Sequence, residues 1–163
     1  MKRYALFVLF IVVAVWLAAC GGSAPTPTAQ VACATPPTRT NAAQDDVAAG
    51  AVVVYERIGV GACISEVWSF YPDGRITGNT GQQKVEKKVT ADEISTMVSD
   101  IEKLGFSKLA STTHTACRDC FTYYITVKTS SQTKTVSAVD GGTDTPTDYW
   151  QVFAKIKRLT TTN

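Results

Sequence analysis

Two stretches of the chain repeat one arrangement, in which a pair of predicted strands precedes a threonine-capped helix with a regular apolar stripe. In both copies the stripe starts four residues after the threonine, and the first helix adds a capping box, Thr90 with Glu93. The stripes comprise Ile94, Met97, Val98, Ile101 and Leu104 in the first helix, and Tyr149, Val152, Phe153, Ile156 and Leu159 in the second. An apolar stripe of this kind must be buried against another apolar surface.

The strands that supply this surface are predicted from continuous or alternating apolar residues. They are expected at residues 51–55, 64–71, 75–77, 121–128 and 134–139. Between the second and third, Pro72-Asp73-Gly74 predicts a turn, because proline presets φ and glycine accepts a positive one. Residues 78–88 are either a loop or a further strand.

These patterns predict an α+β domain over residues 51–160. We expect an antiparallel sheet of about four to five strands with two helices packed on one face, in the order β-ββα-ββα. The other face of the sheet would look toward solvent or a partner. The candidate partner face on that side consists of Val67, Tyr71 and Tyr124.

The N-terminal segment has the pattern of an export signal. Lys2 and Arg3 precede an uncharged apolar run from Ala5 to Ala19, and small residues follow it. These fifteen residues fall short of the roughly 20 that a membrane-spanning helix needs. We therefore expect residues 1–19 to be a cleaved signal peptide and not a transmembrane anchor.

The junction Leu17-Ala18-Ala19-Cys20 resembles the bacterial lipoprotein lipobox at all four positions. The resemblance implies a diacylglyceryl group on Cys20, cleavage before Cys20 and acylation of the new N-terminus. Two or three lipid chains would hold the protein on its membrane, whereas a single chain binds only marginally. The expected location is therefore outside the cytoplasm, on the bacterial cell membrane or the outer membrane.

Residues 20–50 are predicted to be the lipidated cysteine and a flexible tether rich in threonine, proline and alanine. Cys33 lies within this tether, where a disulfide to the domain is favoured over a stray thiol. Removal of the signal peptide takes away Lys2 and Arg3, which leaves 14 basic against 14 acidic residues. A chain without net positive charge is not expected to bind nucleic acid.

The four remaining cysteines, Cys33, Cys63, Cys117 and Cys120, are disulfide candidates because export favours oxidation. Of the three possible pairings we favour Cys117–Cys120 with Cys33–Cys63, and the other two stay open. The Cys117–Cys120 spacing also occurs in redox motifs, but here a strand follows it, where a low thiol pKa would need a helix N-terminus. A zinc site with His114 is the other alternative.

Catalytic patterns are missing from the sequence. The chain has one histidine, His114, and no Gly-x-Ser-x-Gly motif for a hydrolase nucleophile. We therefore predict no catalytic residues, no metal site, no cofactor apart from the lipid on Cys20, and no enzymatic activity.

Several stretches resemble the emfourin-type inhibitors of thermolysin-family proteases: residues 104–106 with Leu109, 120–127, 134–136 and the proline-led second helix. The pattern also resembles uncharacterised bacterial lipoproteins with ββαββα domains. The resemblance covers about residues 51–159, and no inhibitory residue can be matched. We expect the domain to bind another envelope or extracellular protein. The predicted function is therefore a lipid-anchored, non-catalytic protein- or peptide-binding domain. The alternatives are a metalloprotease inhibitor and a metal- or redox-active Cys117/Cys120 loop.

The lipid anchor can be tested by substituting Cys20→Ala. Because the thioether forms on this sulfur, metabolic labelling with a fatty acid should be lost and the unprocessed precursor should accumulate. Cys33→Ala is the matched control and should keep both labelling and processing. Unchanged labelling of the Cys20→Ala chain would contradict the prediction.

Overall fold

A six-stranded antiparallel sheet is built around the central strand β1 (Val53–Gly59). The computed structural model describes residues 38–39, 41–59, 63–111, 117 and 120–161. The other strands are β2 (Ile64–Phe70), β3 (Arg75–Asn79), β4 (Lys84–Lys88), β5 (Phe121–Lys128) and β6 (Thr133–Val139). Their order across the sheet is β4-β3-β2-β1-β5-β6.

Strand β1 occupies the centre because both of its faces are apolar. Val53, Val54 and Tyr55 are each 0% exposed, although consecutive residues point to opposite sides of the sheet. A continuous apolar run of this kind is typical of a strand covered on both faces. Strand β2 flanks it on one side and β5 on the other, both antiparallel.

One face of the sheet, which we call the helical face, packs against α2 (Ala91–Lys103) and α3 (Thr147–Thr161). The predicted capping box is confirmed, since the Thr90 side chain accepts from the Glu93 N–H and Glu93 accepts from the Thr90 N–H. A 3₁₀ turn, Phe106–Lys108, follows α2 and buries Phe106. In the described part of the chain, no helix has the length and hydropathy needed to cross a bilayer.

The opposite face, which we call the groove face, carries a short helix, α1 (Ala42–Ala48). A second, smaller core forms beneath it from Ala43, Ala51, Val54 and Tyr71, with Val47 and Val67 packed alongside. A helix of seven residues is too short to be stable alone in water, so these contacts hold it. The sheet is therefore covered by helices on both faces.

The α+β fold class is confirmed, but the structure departs from the sequence prediction in three details. The sheet has six strands instead of four to five, because residues 84–88 pair with β3 as a full strand. The described residues form three α-helices instead of two, and α1 lies on the face that we expect from the sequence to be open. Helix α1 also takes residues 42–48 out of the predicted flexible tether. The predicted signal peptide and the predicted tether up to residue 37 lie outside the described residues.

The core can be tested with Ile101→Ala in α2. Ile101 is fully buried, so the lost contacts and the remaining cavity should lower the free energy of unfolding by about 2–5 kcal/mol. The exposed neighbour Glu102 provides the control, because Glu102→Ala should change the value by less than about 0.5 kcal/mol. Chemical denaturation of both variants measures the difference, and equal effects would mean that α2 does not bury this face.

Candidate functional site

The candidate site is an open groove on the groove face, between α1 and the β3–β4 hairpin. Its volume is about 620 Å³. The wall from α1 includes Asp46, and the rim from β4 includes Lys84 and Glu86. Side chains from β2 and β3 form the floor: Ser65, Val67, Ser69, Thr77 and Asn79.

The strand register explains why these side chains meet. Val54 lies opposite Ser69, Ser69 opposite Thr77, and Thr77 opposite Glu86. Residues directly opposite each other in an antiparallel sheet project from the same face. The small polar residues of β2 and β3 therefore form one continuous surface beside α1.

Gly78 lets the floor of the groove lie close to the core on the other side of the sheet. The Trp68 ring packs under this residue on the helical face, and a Cβ built on Gly78 would approach the ring to 2.6 Å. The Gly78 backbone lines the groove on the opposite face. A single layer of main chain therefore separates the groove from the indole.

The groove presents hydroxyl, amide and charged groups instead of a continuous apolar surface. The Ser69 hydroxyl donates to a carboxylate oxygen of Asp46 at 2.5 Å, which ties α1 to the sheet. The Asn79 side-chain oxygen accepts from the Gly81 N–H at 2.9 Å. Val67 supplies apolar contact on the floor. This mixture suits the amide groups and side chains of a peptide better than it suits a purely apolar ligand.

A buried ion pair anchors the segment that leads into α1. Glu56 is 1% exposed on the groove face, and both Nε and Nη2 of Arg39 donate to its Oε2 atom, at 3.1 and 3.0 Å. The Arg39 guanidinium also lies 4.3 Å from the centroid of the Tyr124 ring. Burial raises the pKa of Glu56, and the positive charge of Arg39 opposes this shift.

A second buried charge lies on the helical face, where sequence reasoning did not place one. Glu66 forms an ion pair with Arg57 at 2.7 Å and accepts from the Trp68 indole N–H at 2.5 Å. Lys157 of α3 is 3.7 Å away. Burial raises the pKa of Tyr55, and the nearby Glu66 raises it further. The opposite charges of Arg57 and Glu66 are the sequence signal for this ion pair. The signal can be recognised only once the β1–β2 register, which places the two residues opposite each other, is known.

The predicted partner face does not form one exposed strip. Val67 lines the groove, but Tyr71 is buried beneath α1, where the Arg75 guanidinium covers its ring at 3.5 Å. Tyr124 lies beneath Arg39. The chain itself covers two of the three residues, because α1 and the segment before it bury apolar surface that would otherwise meet water.

The local cysteine pairing is present in the structure. Cys117 and Cys120 form a disulfide with their Cα atoms 5.5 Å apart. Cys63 is also disulfide-bonded, and the two cysteines left as candidate partners, Cys20 and Cys33, lie outside the described residues. His114, the histidine of the predicted zinc alternative, also lies outside the described residues. Sulfurs joined in a disulfide are not thiolates and cannot act as zinc ligands. In the described part of the chain, no group of three or more His, Cys, Asp or Glu residues is arranged to hold a metal ion.

No protein-family model, curated protein or solved structure matches this chain. The resemblances to lipoproteins and to emfourin-type inhibitors therefore stay predictions from the sequence.

The anchoring ion pair can be tested with Arg39→Ala. The substitution leaves the buried Glu56 carboxylate without its cation, so the free energy of unfolding should fall by about 1–3 kcal/mol at about pH 8. Burial raises the folded-state pKa of Glu56 above its unfolded value, and loss of Arg39 raises it further. The ionised carboxylate therefore opposes folding above that pKa, and protonation relieves the cost as the pH falls through the raised pKa.

The control for this prediction is the double variant Arg39→Ala with Glu56→Gln, which removes the buried charge together with its partner. Denaturation at several pH values should show a smaller and less pH-dependent loss for the double variant. A loss in Arg39→Ala that stays constant with pH would assign the effect to packing on Tyr124 instead of charge pairing.

Proposed function

We propose that this chain is a lipid-anchored protein of the bacterial cell envelope whose domain binds a protein or peptide partner in the groove beside α1. The complete lipobox at residues 17–20, after a basic start and an apolar run, supports export and anchoring. The even set of four cysteines beyond Cys20 also fits an oxidising compartment.

The observation that carries the binding proposal is the groove itself. Its volume of about 620 Å³ lies in the range of ligand-binding clefts, and its floor is rigid because two neighbouring strands supply it. Hydroxyl and amide groups on the floor can exchange hydrogen bonds with a peptide backbone. Val67 offers an apolar contact between them.

The chemistry of the groove favours binding over catalysis. Ser69 is the hydroxyl best placed beside a carboxylate, but it is 1% exposed and donates to Asp46. A nucleophile must reach its substrate and needs a base that accepts its proton in the transition state. Ser69 has a carboxylate that could accept its proton, but its burial prevents direct attack on a ligand in the groove.

A metalloprotease inhibitor of the emfourin type is the more specific form of this proposal. The observation that favours it is the sequence resemblance at residues 104–106 with Leu109, at 120–127, at 134–136 and in the proline-led second helix. An assay of thermolysin activity in the presence of the protein tests this form directly. The Cys117/Cys120 loop offers less support for metal binding, because its sulfurs are joined to each other. It also offers less support for redox catalysis, because strand β5 follows Cys120 directly, whereas a low thiol pKa would need a helix N-terminus.

The groove proposal can be tested by site-specific photo-crosslinking in cells that express the full chain. A photo-reactive residue in place of Ser65, on the groove floor, should form an adduct with a protein partner. The same residue in place of Thr96, which is exposed on α2 at the other face, is the control and should give no such adduct. Adducts from position 96 alone, or from neither position, would contradict the proposal.

A further inference from the structure

The two edges of the sheet differ in how the chain protects them. At the β6 edge, the Ser137 N–H donates to the Ser111 carbonyl at 3.1 Å. The Lys134 ammonium donates to the carbonyls of Ser107 and Leu109, so the segment that leads to Ser111 is also tied to the β6 edge. Strand β4 forms the other edge and pairs with β3 alone among the described strands.

The hydrogen bonds at both ends of the β3–β4 hairpin show which groups of β4 point outward. Thr80 donates to the Gln83 carbonyl at 3.0 Å, and Val89 donates to the Gly74 carbonyl at 2.9 Å. Main-chain groups in an antiparallel ladder point alternately toward and away from the neighbouring strand. The outward positions are therefore Lys84, Glu86 and Lys88.

The side chains of these three residues alternate in charge and are all exposed. Lys84 and Glu86 also line the groove, so the edge and the groove form one surface. The pattern disfavours pairing with a second copy in the centred antiparallel register. That register would place Lys84 opposite Lys88 and Glu86 opposite Glu86, and like charges directly opposite each other destabilise a sheet.

We propose that the β4 edge accepts an extended segment of a partner protein as an added strand. Main-chain hydrogen bonds to Lys84, Glu86 and Lys88 supply the attachment, as in other cases of strand addition. The partner segment carries an acidic, a basic and an acidic residue at alternate positions on the groove face, where they meet the charges of β4. This inference rests on the proposed function, because it specifies how a partner of the groove face binds.

The other face of the added strand meets a different environment. Val85 is half-buried and packs against the main core on the helical face. Lys87 on the same face donates to the Thr160 carbonyl of α3 at 2.7 Å, so its ammonium is held by the fold. The partner residues between the charged positions are therefore apolar strand formers.

The charge pattern can be tested with a synthetic peptide, Thr-Val-Glu-Val-Lys-Val-Glu-Val-Thr, and its charge-swapped form with Lys-Glu-Lys. The full chain in detergent micelles should bind the first peptide about tenfold more tightly or better, as measured by fluorescence anisotropy, because three cross-strand pairs change sign. A chain with Lys84→Glu, Glu86→Lys and Lys88→Glu should reverse this preference. Equal binding of the two peptides, or no reversal, would overturn the proposal.

The main-chain contact needs a separate test, which Glu86→Pro provides. Proline removes an N–H that points away from β3, so the ladder inside the domain is kept. Binding of the first peptide should be about three- to tenfold weaker than to Glu86→Ala, which lacks the charge but keeps the N–H. Thr135→Pro on the β6 edge is the matched control and should bind the peptide like the unchanged chain.

The fold of each variant is checked by circular dichroism, and the charge-swapped chain tests the proposal even if Glu86→Pro does not fold. Self-association of the unchanged chain that Glu86→Pro abolishes and Glu86→Ala keeps would assign the edge to a second copy and overturn the proposal. A crosslink from position 65 without peptide binding would leave the groove function standing and remove the edge inference. Peptide binding whose charge preference reverses in the charge-swapped chain, without a crosslink from position 65, would support the edge inference and contradict binding in the groove.

Discussion

The burial of strand β1 on both faces is the constraint on which the rest of the structure depends. Val53 and Tyr55 point to the helical face, whereas Val54 and Glu56 point to the groove face, and all four are buried. A sheet with such a strand at its centre needs cover on both sides, because uncovered apolar surface is unfavourable in water. Helices α2 and α3 cover the larger face. Among the described residues, those at 38–39 and 41–51 cover the smaller face, and they do so with one short helix, α1.

The incomplete cover on that second face creates the candidate site. Helix α1 contacts β1 and β2 but leaves the floor provided by β2 and β3 open toward the β4 rim. Its attachment combines a small apolar core, the Ser69–Asp46 hydrogen bond and the Arg39–Glu56 ion pair. The groove wall is therefore held by polar contacts as well as by packing, so the site and the stability of this face depend on the same residues.

Periodicity predicted the elements that repeat a regular pattern, and it failed where tertiary contacts decide. The stripe from Ile94 to Leu104, with the capping box at Thr90, predicted α2 because local residues define both its start and its buried face. The sequence does not distinguish a loop from a strand at Lys84–Lys88, because this segment has one apolar residue, Val85. Pairing with β3 is what stabilises it as strand β4. Helix α1 could not be predicted because its sequence is similar in composition to the residues before it, which also predict a tether. The groove could not be predicted, since it depends on the β1–β2–β3 register and on where α1 packs.

Gly78 restricts how the groove could diversify over evolutionary time. Thr77 and Asn79 project into the groove, so their side chains can change with consequences confined to that face. Any side chain at Gly78 would displace the Trp68 indole, whose N–H bonds the buried Glu66 and thereby reaches the Arg57 ion pair. A change at position 78 would therefore alter the groove and the interior at the same time.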